Sequence, residues 1–282
     1  MSAPDTTRCS PAWLGLREGA DAAARAAALV DPLRRHLAGS TRLVIRDLGC
    51  GTGSMGRWLA GRLPGPQHWV MYDRDAELLD HAAAAMVDTA ADGAAVTVET
   101  RARDVSGLTA ADLAGTALVT ASALLDLFTV DEVDALAAAC VGAACPALLT
   151  LSVAGRVEFT PADPLDGELT AAFNAHQRRI TDGRLLLGPD APGAAAAAFS
   201  RLGATVRLDP SPWRLGPEQP ALTAQWLTGW VAAAGEQRPD LAVDAYLGRR
   251  LAALAAGELR VVVGHSDLLA LPTRPSAPPA AP

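Results

Sequence analysis

The stretch that decides the fold is Val44-Ile45-Arg46-Asp47-Leu48-Gly49-Cys50-Gly51-Thr52-Gly53. It begins as an apolar strand, passes through an acidic residue and ends in a glycine-rich turn, after which residues 54–63 have the composition of a helix. Glycines tolerate positive φ and carry no Cβ, so the backbone N–H groups of such a turn can come close to a bound ligand. This strand–turn–helix unit therefore predicts a ligand site at the turn.

The kind of ligand depends on the acidic residues around the turn. The spacing Gly51-x-Gly53-x-x-Gly56 also satisfies the dinucleotide fingerprint, and Asp73, at the end of the next strand, suits a ribose diol in either case. Asp47, which stands two residues before the first glycine, distinguishes a dinucleotide from a cationic ligand. A carboxylate at that point repels a pyrophosphate but attracts a cationic sulfonium and an ammonium group.

Outward from this stretch, strand-like and helix-like segments alternate, which is typical of a parallel sheet covered by helices. Seven strands are predicted, at 42–47, 68–73, 95–101, 116–121, 147–153, 205–208 and 259–263. Helices are predicted at 13–37 (with a possible break at Pro32), 54–63, 75–90, 131–141, 168–180, 191–202, 221–234 and 241–255, and residues 156–164 are predicted to form a loop.

The string Asp47-Leu-Gly-Cys-Gly-Thr-Gly53 closely resembles the first motif of the class I S-adenosylmethionine-dependent methyltransferases. Three later segments match the family in order: Met71-Tyr72-Asp73-Arg74-Asp75, Arg103-Asp104-Val105, and Val119–Ser122 through Asp126-Leu127. The resemblance implies a Rossmann-like α/β fold. Its seven-stranded sheet would be mostly parallel with an antiparallel last strand, with helices on both faces and helical lid insertions.

The resemblance also implies a set of cofactor contacts. The residues expected to bind S-adenosyl-L-methionine are Asp47, Gly49, Cys50, Gly51, Gly53, Asp73, Arg74, Asp104, Val105 and Ser122. In the family the acid of the second strand binds the ribose hydroxyls, and an acid after the third strand takes the adenine amino group. The alternatives are that the glycines form only a tight turn, that Asp104 caps the following segment, and that Asp126 caps a helix.

The chain divides into a long central domain and two short ends. Residues 1–10 are predicted to be disordered, residues 11–270 to form the methyltransferase domain, and residues 271–282 to form a Pro/Ala-rich tail. Within the domain we expect a cofactor-binding core at 40–153 and acceptor-side lid insertions at 154–190 and 209–257. Insertions of this size favour an enclosed pocket for a small molecule.

Candidate acceptor-side groups are fewer. At helical spacing Leu169, Phe173, His176 and Ile180 share a face, which would point His176 inward as a general base or as a hydrogen-bonded core histidine. Asp126 is the other candidate base. Arg178 and Arg179 would either bind an anionic group or lie on a solvated face. Trp213 would either form part of the pocket wall or anchor a loop.

Composition excludes several functions. The net charge is −7, which disfavours nucleic-acid binding, and no apolar run is long enough to span a membrane. All 24 basic residues are arginine, as in a GC-rich bacterial coding sequence, so lysine Schiff-base and P-loop chemistry are impossible. Cys9, Cys50, Cys140 and Cys145 and the five histidines have no metal-ligand spacing, so no metal is expected.

The function predicted is methyl transfer to oxygen or nitrogen of a small-molecule acceptor by a cytoplasmic monomer or homodimer. Two alternatives stay open from the sequence. One is a protein that binds the adenosyl cofactor without turnover, and the other is an NAD(P)-dependent oxidoreductase.

Overall fold

The computed structural model describes residues 9–273. The helices are α1 (Pro11–Ala24), α2 (Val30–Leu37), α3 (Ser54–Ala60), α4 (Ala76–Ala85), α5 (Val130–Gly142), α6 (Asp166–Gln177), α7 (Ala191–Arg201), α8 (Pro220–Gln237) and α9 (Val243–Ala255). The strands are β1 (Leu43–Leu48), β2 (Gln67–Asp73), β3 (Val96–Ala102), β4 (Leu118–Ser122), β5 (Ala147–Thr160), β6 (Ile180–Thr181), β7 (Arg184–Leu185), β8 (Thr205–Pro210), β9 (Trp213–Leu215) and β10 (Arg260–Leu271).

The central sheet has the order β3-β2-β1-β4-β5-β10-β8, with β9 added beside β10. Strands β3, β2, β1, β4 and β5 are parallel neighbours, while β10 runs antiparallel to both β5 and β8. The order reverses between β1 and β4, and ligands bind at such a switch point, beyond the carboxyl ends of the strands. The predicted mostly parallel Rossmann-like sheet with an antiparallel last strand is confirmed, and β9 adds an eighth strand to the seven that were predicted.

Helices cover both faces of the sheet. One core includes Leu48, Val119 and Phe199 and packs α5 and α7 against one face, while the other includes Leu33, Ile45 and Trp69 and packs α2 and α3 against the opposite face. Because the central strands are covered on both faces, most of their residues are apolar, and Asp47 and Thr120 are buried polar exceptions.

The carboxyl part of β5 leaves the central sheet and pairs only with β10. Thr150 is the last residue of β5 opposite β4, yet β5 continues to Thr160 opposite Arg260. The predicted loop at 156–164 is therefore only partly correct, since residues 156–160 are strand and residues 161–164 are loop. A third core with Phe159, Trp230 and Tyr246 packs α6, α8 and α9 on this extension. The predicted lid segments thus pack around an antiparallel extension of β5 and β10 that the sequence pattern did not indicate.

The N-terminal helical segment breaks earlier than predicted. Helix α1 ends at Ala24, and Arg25 adopts φ −51° and ψ 133° before a 3₁₀ turn leads into α2. Pro32 does not break a helix, because it lies in the first turn of α2, where its missing N–H has no partner to lose. The break at Arg25 places this side chain at the carboxyl edge of the sheet.

The ends of the described chain are ordered further out than predicted. Ser10 caps α1 by accepting a 3.2 Å hydrogen bond from the amide of Trp13, and Leu271 is the last residue of β10. The remainder of the predicted disordered start and of the Pro/Ala-rich tail, 1–8 and 274–282, lies outside the described residues. Within the described part, no helix has the length and apolarity needed to cross a membrane.

Candidate active site

The glycine-rich turn leaves β1 at the switch point and enters α3. Gly49 and Gly53 have φ of 61° and 83°, a region that side chains with a Cβ rarely adopt. A Cβ on Gly49 would lie 2.9 Å from Leu124, and one on Gly53 would lie 3.2 Å from Ala82. The amide of Cys50 donates to the carbonyl of Tyr72 at 2.8 Å, which ties the turn to β2. The glycines are thus required by both conformation and space.

Asp47 is a buried acid at the floor of this turn. It is fully buried, and its Oδ1 accepts a 2.7 Å hydrogen bond from the hydroxyl of Thr120 on β4. Its Oδ2 is buried without a hydrogen-bond partner among the described residues. Burial raises the pKa of Asp47 to about 7, against the opposing effects of the Thr120 hydrogen bond and the charge of Arg25. An acid in this state is poised to ionise when a cationic group binds beside it.

Asp73 stands across the turn from Asp47, at the end of β2. Its Oδ2 accepts a hydrogen bond from the amide of Gly51 at 2.9 Å, and its Oδ1 accepts one from the amide of Asp75 at 3.0 Å. Each carboxylate oxygen keeps a further lone pair. The side chain is only partly buried, so those lone pairs can serve a ligand.

Helix α1 forms a roof over the glycine turn. A Cβ on Gly51 would come within 3.0 Å of Leu14. Arg57 of α3 bonds both oxygens of Glu18 at 2.6 and 2.8 Å and also donates to the carbonyl of Thr52. One arginine therefore fixes α1, α3 and the glycine turn relative to one another.

Arg25, at the end of this roof, reaches into the site. It is 3% exposed, and its Nη2 donates to Ser54 Oγ at 3.1 Å and to Ser122 Oγ at 3.3 Å. Its Nε and Nη1 are buried with no hydrogen-bond partner among the described residues. Burial lowers the pKa of Arg25, while the charges of Asp21, Asp267 and Asp47 oppose that effect. Buried charged donors without partners are costly unless a ligand satisfies them.

A second polar cluster joins α1 to the strands of the lid. Trp213 Nε1 donates to Asp21 Oδ1 at 2.9 Å, and Arg17 forms an ion pair with Asp21 at 3.0 Å and lies 4.9 Å from the centre of the Trp213 ring. His265 packs against Trp213 with the ring centres 5.3 Å apart. Trp213 is 3% exposed, so it anchors α1 through Asp21, which was the structural alternative of the sequence analysis.

Asp267 completes the attachment of α1 to the sheet. Its Oδ2 accepts from the amide of Ala26 at 2.8 Å, and its Oδ1 accepts from the amide of Leu151 at 2.7 Å and from the hydroxyl of Ser211 at 2.5 Å. Burial raises the pKa of Asp267, and these three hydrogen bonds oppose the rise. The side chain thus joins the residue after Arg25 to β5 and to the turn before β9.

Asp104 lies after β3, on the side of the sheet where Asp73 ends β2. Its Oδ1 accepts from the amide and hydroxyl of Ser106 at 2.8 and 2.7 Å, which is the capping geometry given above as its structural alternative. Arg74 lies 4.0 Å from its other oxygen, and both side chains are largely exposed. The Oδ2 of Asp104 is consequently the atom left for an adenine amino group, with Val105 beside it.

Two further predicted residues lie at the carboxyl end of β4. Ser122 is the last residue of β4 and contacts Arg25, as described above. Asp126 follows in a 3₁₀ turn, where burial raises the pKa of its carboxyl and the charge of Arg17 opposes the rise.

Cys50, in the glycine turn, is buried, and burial raises the pKa of its thiol, so this residue contributes backbone and shape rather than charge.

The predicted face of α6 is only partly correct. Leu169 is fully buried and Phe173 is partly buried, but α6 ends at Gln177, and Ile180 lies beyond it with 72% of its surface exposed. His176 Nε2 lies 3.0 Å from Glu236 Oε2 on α8, and its Nδ1 lies 3.0 Å from Arg179 Nη1. His176 therefore joins the end of α6 to α8, and its catalytic role stays a prediction.

The predicted anion-binding arginines have partners within the chain. Arg178 forms a bidentate pair with Asp190 at 2.6 and 2.8 Å, and Arg179 also donates to the carbonyl of His176 at 3.0 Å. Both are exposed on the surface of the lid. These contacts correspond to the solvated-face alternative.

Several site residues were not identified from the sequence: Arg17, Asp21, Arg25, Ser54, His265 and Asp267. Arg17 and Asp21 lie four residues apart on one side of α1, and Arg25 follows at the same interval just beyond the end of the helix. A charged stripe at that spacing usually faces solvent, and only the sheet edge beneath α1 turns it into a buried one. His265 and Asp267 lie in a stretch of β10 beyond the predicted last strand.

Asp47 and Arg25 offer complementary unfilled contacts. The carboxylate has a free oxygen and the guanidinium two free donors, yet no hydrogen bond joins the two side chains. An ammonium group would satisfy the free oxygen of Asp47, and a carboxylate would satisfy the free donors of Arg25. These are the two charged groups of an α-amino acid. The site therefore fits the amino-acid end of an adenosyl cofactor. Within the described residues, no group of three or more His, Cys, Asp or Glu side chains has metal-binding geometry.

Comparison with known proteins agrees with this geometry. Residues 45–146 match a family model described as a methyltransferase domain, and this segment contains the glycine turn, Asp47, Asp73 and the carboxyl end of β4. The chain therefore contains a segment similar to methyltransferase domains, for which S-adenosyl-L-methionine is the expected cofactor. No curated protein matches the chain.

Solved structures with a similar arrangement are distant in sequence. A cyclopropane-fatty-acyl-phospholipid synthase-like protein from Lactobacillus casei is 15% identical, with a TM-score of 0.47 and coverage of 90% of this chain and 98% of the other. A methyltransferase from Geobacter sulfurreducens in complex with S-adenosyl-L-homocysteine is 14% identical, with a TM-score of 0.43 and coverage of 92% and 98%. At these scores the comparisons carry no conclusion about the acceptor.

Proposed function

We propose that the protein transfers the methyl group of S-adenosylmethionine to an oxygen or nitrogen of a small-molecule acceptor bound beneath α1 and the helical lid. The observation that carries the proposal is the position of α1. Arg57, Trp213 and Asp267 join this helix to the glycine turn and to the lid strands. A roof held on both sides leaves room for small molecules and little for a polymer.

The chain's own residues would hold the cofactor at three points. Asp73 would accept the two ribose hydroxyls through its free lone pairs. Asp47 would accept the ammonium group, and Arg25 would donate Nε and Nη1 to the carboxylate. The glycine turn would supply close backbone contact between them. Asp104 would accept the adenine amino group through Oδ2, with Arg74 and Val105 beside it.

The cofactor supplies a sulfonium-activated methyl group, so the carbon–sulfur bond breaks as a bond forms to the acceptor and a neutral thioether leaves. The protein then has to align the acceptor, exclude water and receive a proton when the acceptor is a hydroxyl. We assign proton acceptance to Asp126, because it follows β4 directly and its raised pKa suits a general base. His176 is the alternative base, although it would first have to release Glu236 and Arg179.

The test is methyl transfer from labelled S-adenosylmethionine into a cell extract that has been separated by size. We expect label in the low-molecular-mass fraction when wild-type protein is added. The matched control is the Asp47→Asn variant, which loses the charge beside the ammonium group. Label found only in protein or nucleic acid would contradict the small-molecule proposal while leaving the methyltransferase assignment in place.

A further inference from the structure

An aromatic groove lies beside α1, outside the residues assigned to the cofactor. Its lining is Trp13 of α1, Phe173 of α6, and Gln225, Trp226, Gly229 and Trp230 of α8, and it encloses about 340 Å³. Trp226 and Trp230 are stacked, with their ring centres 5.7 Å apart and their planes 23° from parallel. Gln225 is the only lining residue with a polar head group, so the groove favours an apolar, flat ligand.

A smaller inner cavity of about 60 Å³ shares part of its lining with the groove. Phe173, Trp226 and Trp230 line both spaces, and the inner cavity adds residues of β5 and β10, among them Val153, Gly155 and His265. Its volume corresponds to about two water molecules at roughly 30 Å³ each. It can accept a polar substituent of a ring seated in the groove.

The residues that line the inner cavity carry three buried polar atoms without hydrogen-bond partners in the described chain. They are Gln177 Oε1, Trp230 Nε1 and His265 Nδ1. The first can only accept a hydrogen bond and the second can only donate one. A hydroxyl satisfies both, whereas a carboxylate leaves Gln177 without a donor and an ammonium group leaves Trp230 without an acceptor. Burial and the charge of Arg17 lower the pKa of His265 to about 4, so this ring is neutral near pH 7.

The inner cavity lies on the acceptor side of the sheet. Val153 pairs with His265 and stands three residues beyond Thr150, which pairs with Ser122 at the end of β4. Three strand residues span about 10 Å. His265 in turn packs on Trp213, and Trp213 contacts Arg17 and Asp21 of α1. The lining of the inner cavity is therefore linked to the polar cluster under α1 through His265 and Trp213.

We propose that the groove and the inner cavity together form the acceptor site, and that the acceptor is a planar aromatic molecule whose hydroxyl group enters the inner cavity. This inference rests on the methyl transfer proposed above, because it names the acceptor class for that reaction. The aromatic walls would stack on the ring system, and Gln177 and Trp230 would select the hydroxyl.

Blocking the groove tests the location of the site. A Cβ on Gly229 meets nothing within 4 Å, so Gly229→Leu fills the groove without a clash in the protein. Gly248 is a matched control, since it also lies within a helix, α9, is exposed, and has nothing within 4 Å of its Cβ position. Binding of 2-naphthol is measured by equilibrium dialysis with the full chain. We expect a dissociation constant below about 1 mM for wild type and Gly248→Leu, weakened about tenfold or more by Gly229→Leu.

Three matched probes test the chemical class. Decahydro-2-naphthol keeps the hydroxyl but is not planar, 2-methoxynaphthalene keeps the planar rings but cannot donate, and 2-naphthoate carries a charge. Each should bind at least about tenfold more weakly than 2-naphthol. Equal binding of any of them, no binding of 2-naphthol at about 1 mM, or an unchanged affinity in Gly229→Leu would overturn the proposal.

S-adenosylhomocysteine titrations keep this result separate from the proposed function. Its affinity should be the same in Gly229→Leu, Gly248→Leu and wild type, because neither glycine belongs to the assigned cofactor contacts. If 2-naphthol does not bind as expected, but S-adenosylhomocysteine binds normally and small molecules become labelled, only the inference of an aromatic acceptor is wrong. Absence of label from the small-molecule fraction would instead end the proposed function.

Discussion

The amide of Gly51 donates a 2.9 Å hydrogen bond to Oδ2 of Asp73, so the acid that would bind the ribose also holds the glycine turn. The two residues are 22 positions apart in the sequence, but the parallel pairing of β1 with β2 brings the ends of these strands together. One side chain therefore serves the fold of the turn and the ligand that rests on it.

This double role makes a prediction for two variants of Asp73. Asp73→Ala removes both functions, and we expect S-adenosylhomocysteine to bind at least about tenfold more weakly, by the scale of charge-assisted hydrogen bonds. Asp73→Asn keeps an oxygen for the Gly51 amide and should lose less. Calorimetric titration measures both, with the exposed Asp80→Ala of α4 as the charge-matched control. Equal affinity in all four proteins would show that Asp73 does not contact the cofactor.

Arg25 should distinguish ligands with and without an amino-acid end. Wild type is expected to bind S-adenosylhomocysteine more tightly than 5′-methylthioadenosine, which lacks both the carboxylate and the ammonium group. Arg25→Met should reduce that preference by about tenfold or more, since a charged hydrogen bond contributes about 1.5–3 kcal/mol. Arg34→Met of α2 is the control, because Arg34 pairs with Asp31 on the surface. A purely structural Arg25 would leave the ratio of the two affinities unchanged.

Asp47 should make cofactor binding release a proton. Its pKa of about 7 in the folded protein lies above the ordinary value of 3.8, so the folded protein keeps a proton that the unfolded chain loses between these values. The contribution of Asp47 to stability is therefore fully present below about pH 4 and declines as the pH rises through 7. An ammonium ligand favours the ionised carboxylate, so binding should weaken as the pH falls below about 7.

The measurement is calorimetry of S-adenosylhomocysteine binding at about pH 6.5 in two buffers with different ionisation enthalpies. Wild type should release a fraction of a proton that Asp47→Asn does not release. The same variant should also lose less stability than wild type between about pH 4 and 7 in urea unfolding. Identical proton counts for both proteins would contradict the proposed contact.

Asp126 and His176 are expected to differ in their effect on turnover. Asp126→Asn should lower methyl transfer to a hydroxyl acceptor by about a hundredfold, within the usual range for acid–base groups, with little change in cofactor affinity. His176→Ala should reduce turnover less than about tenfold and lower the melting temperature, because it separates α6 from Glu236. The reverse order of the two turnover losses would assign the base to His176.

The central part of the fold could be predicted from the sequence because its information is local. The apolar strands, the glycine turn and Asp47 and Asp73 all lie in continuous segments whose pattern is independent of the rest of the chain. The mostly parallel seven-stranded sheet then follows from the resemblance that these segments carry.

The lid and the roof could not be predicted in the same way, because distant contacts determine them. The extension of β5 becomes strand only by pairing with β10, more than a hundred residues later. Arg25 is buried only because Ser54, Ser122 and the sheet edge surround it. His176 was expected on an inward face with Ile180, but the helix ends at Gln177 and the chain turns into the short strand β6.

The measurement that tests the central claim most directly is separate calorimetric titration of the full chain with S-adenosylmethionine, S-adenosylhomocysteine and NADH. The glycine turn between Asp47 and Asp73 should bind both adenosyl compounds in the micromolar range, roughly −8 kcal/mol, and NADH much more weakly. Tight binding of NADH without a response to either adenosyl compound would contradict the account.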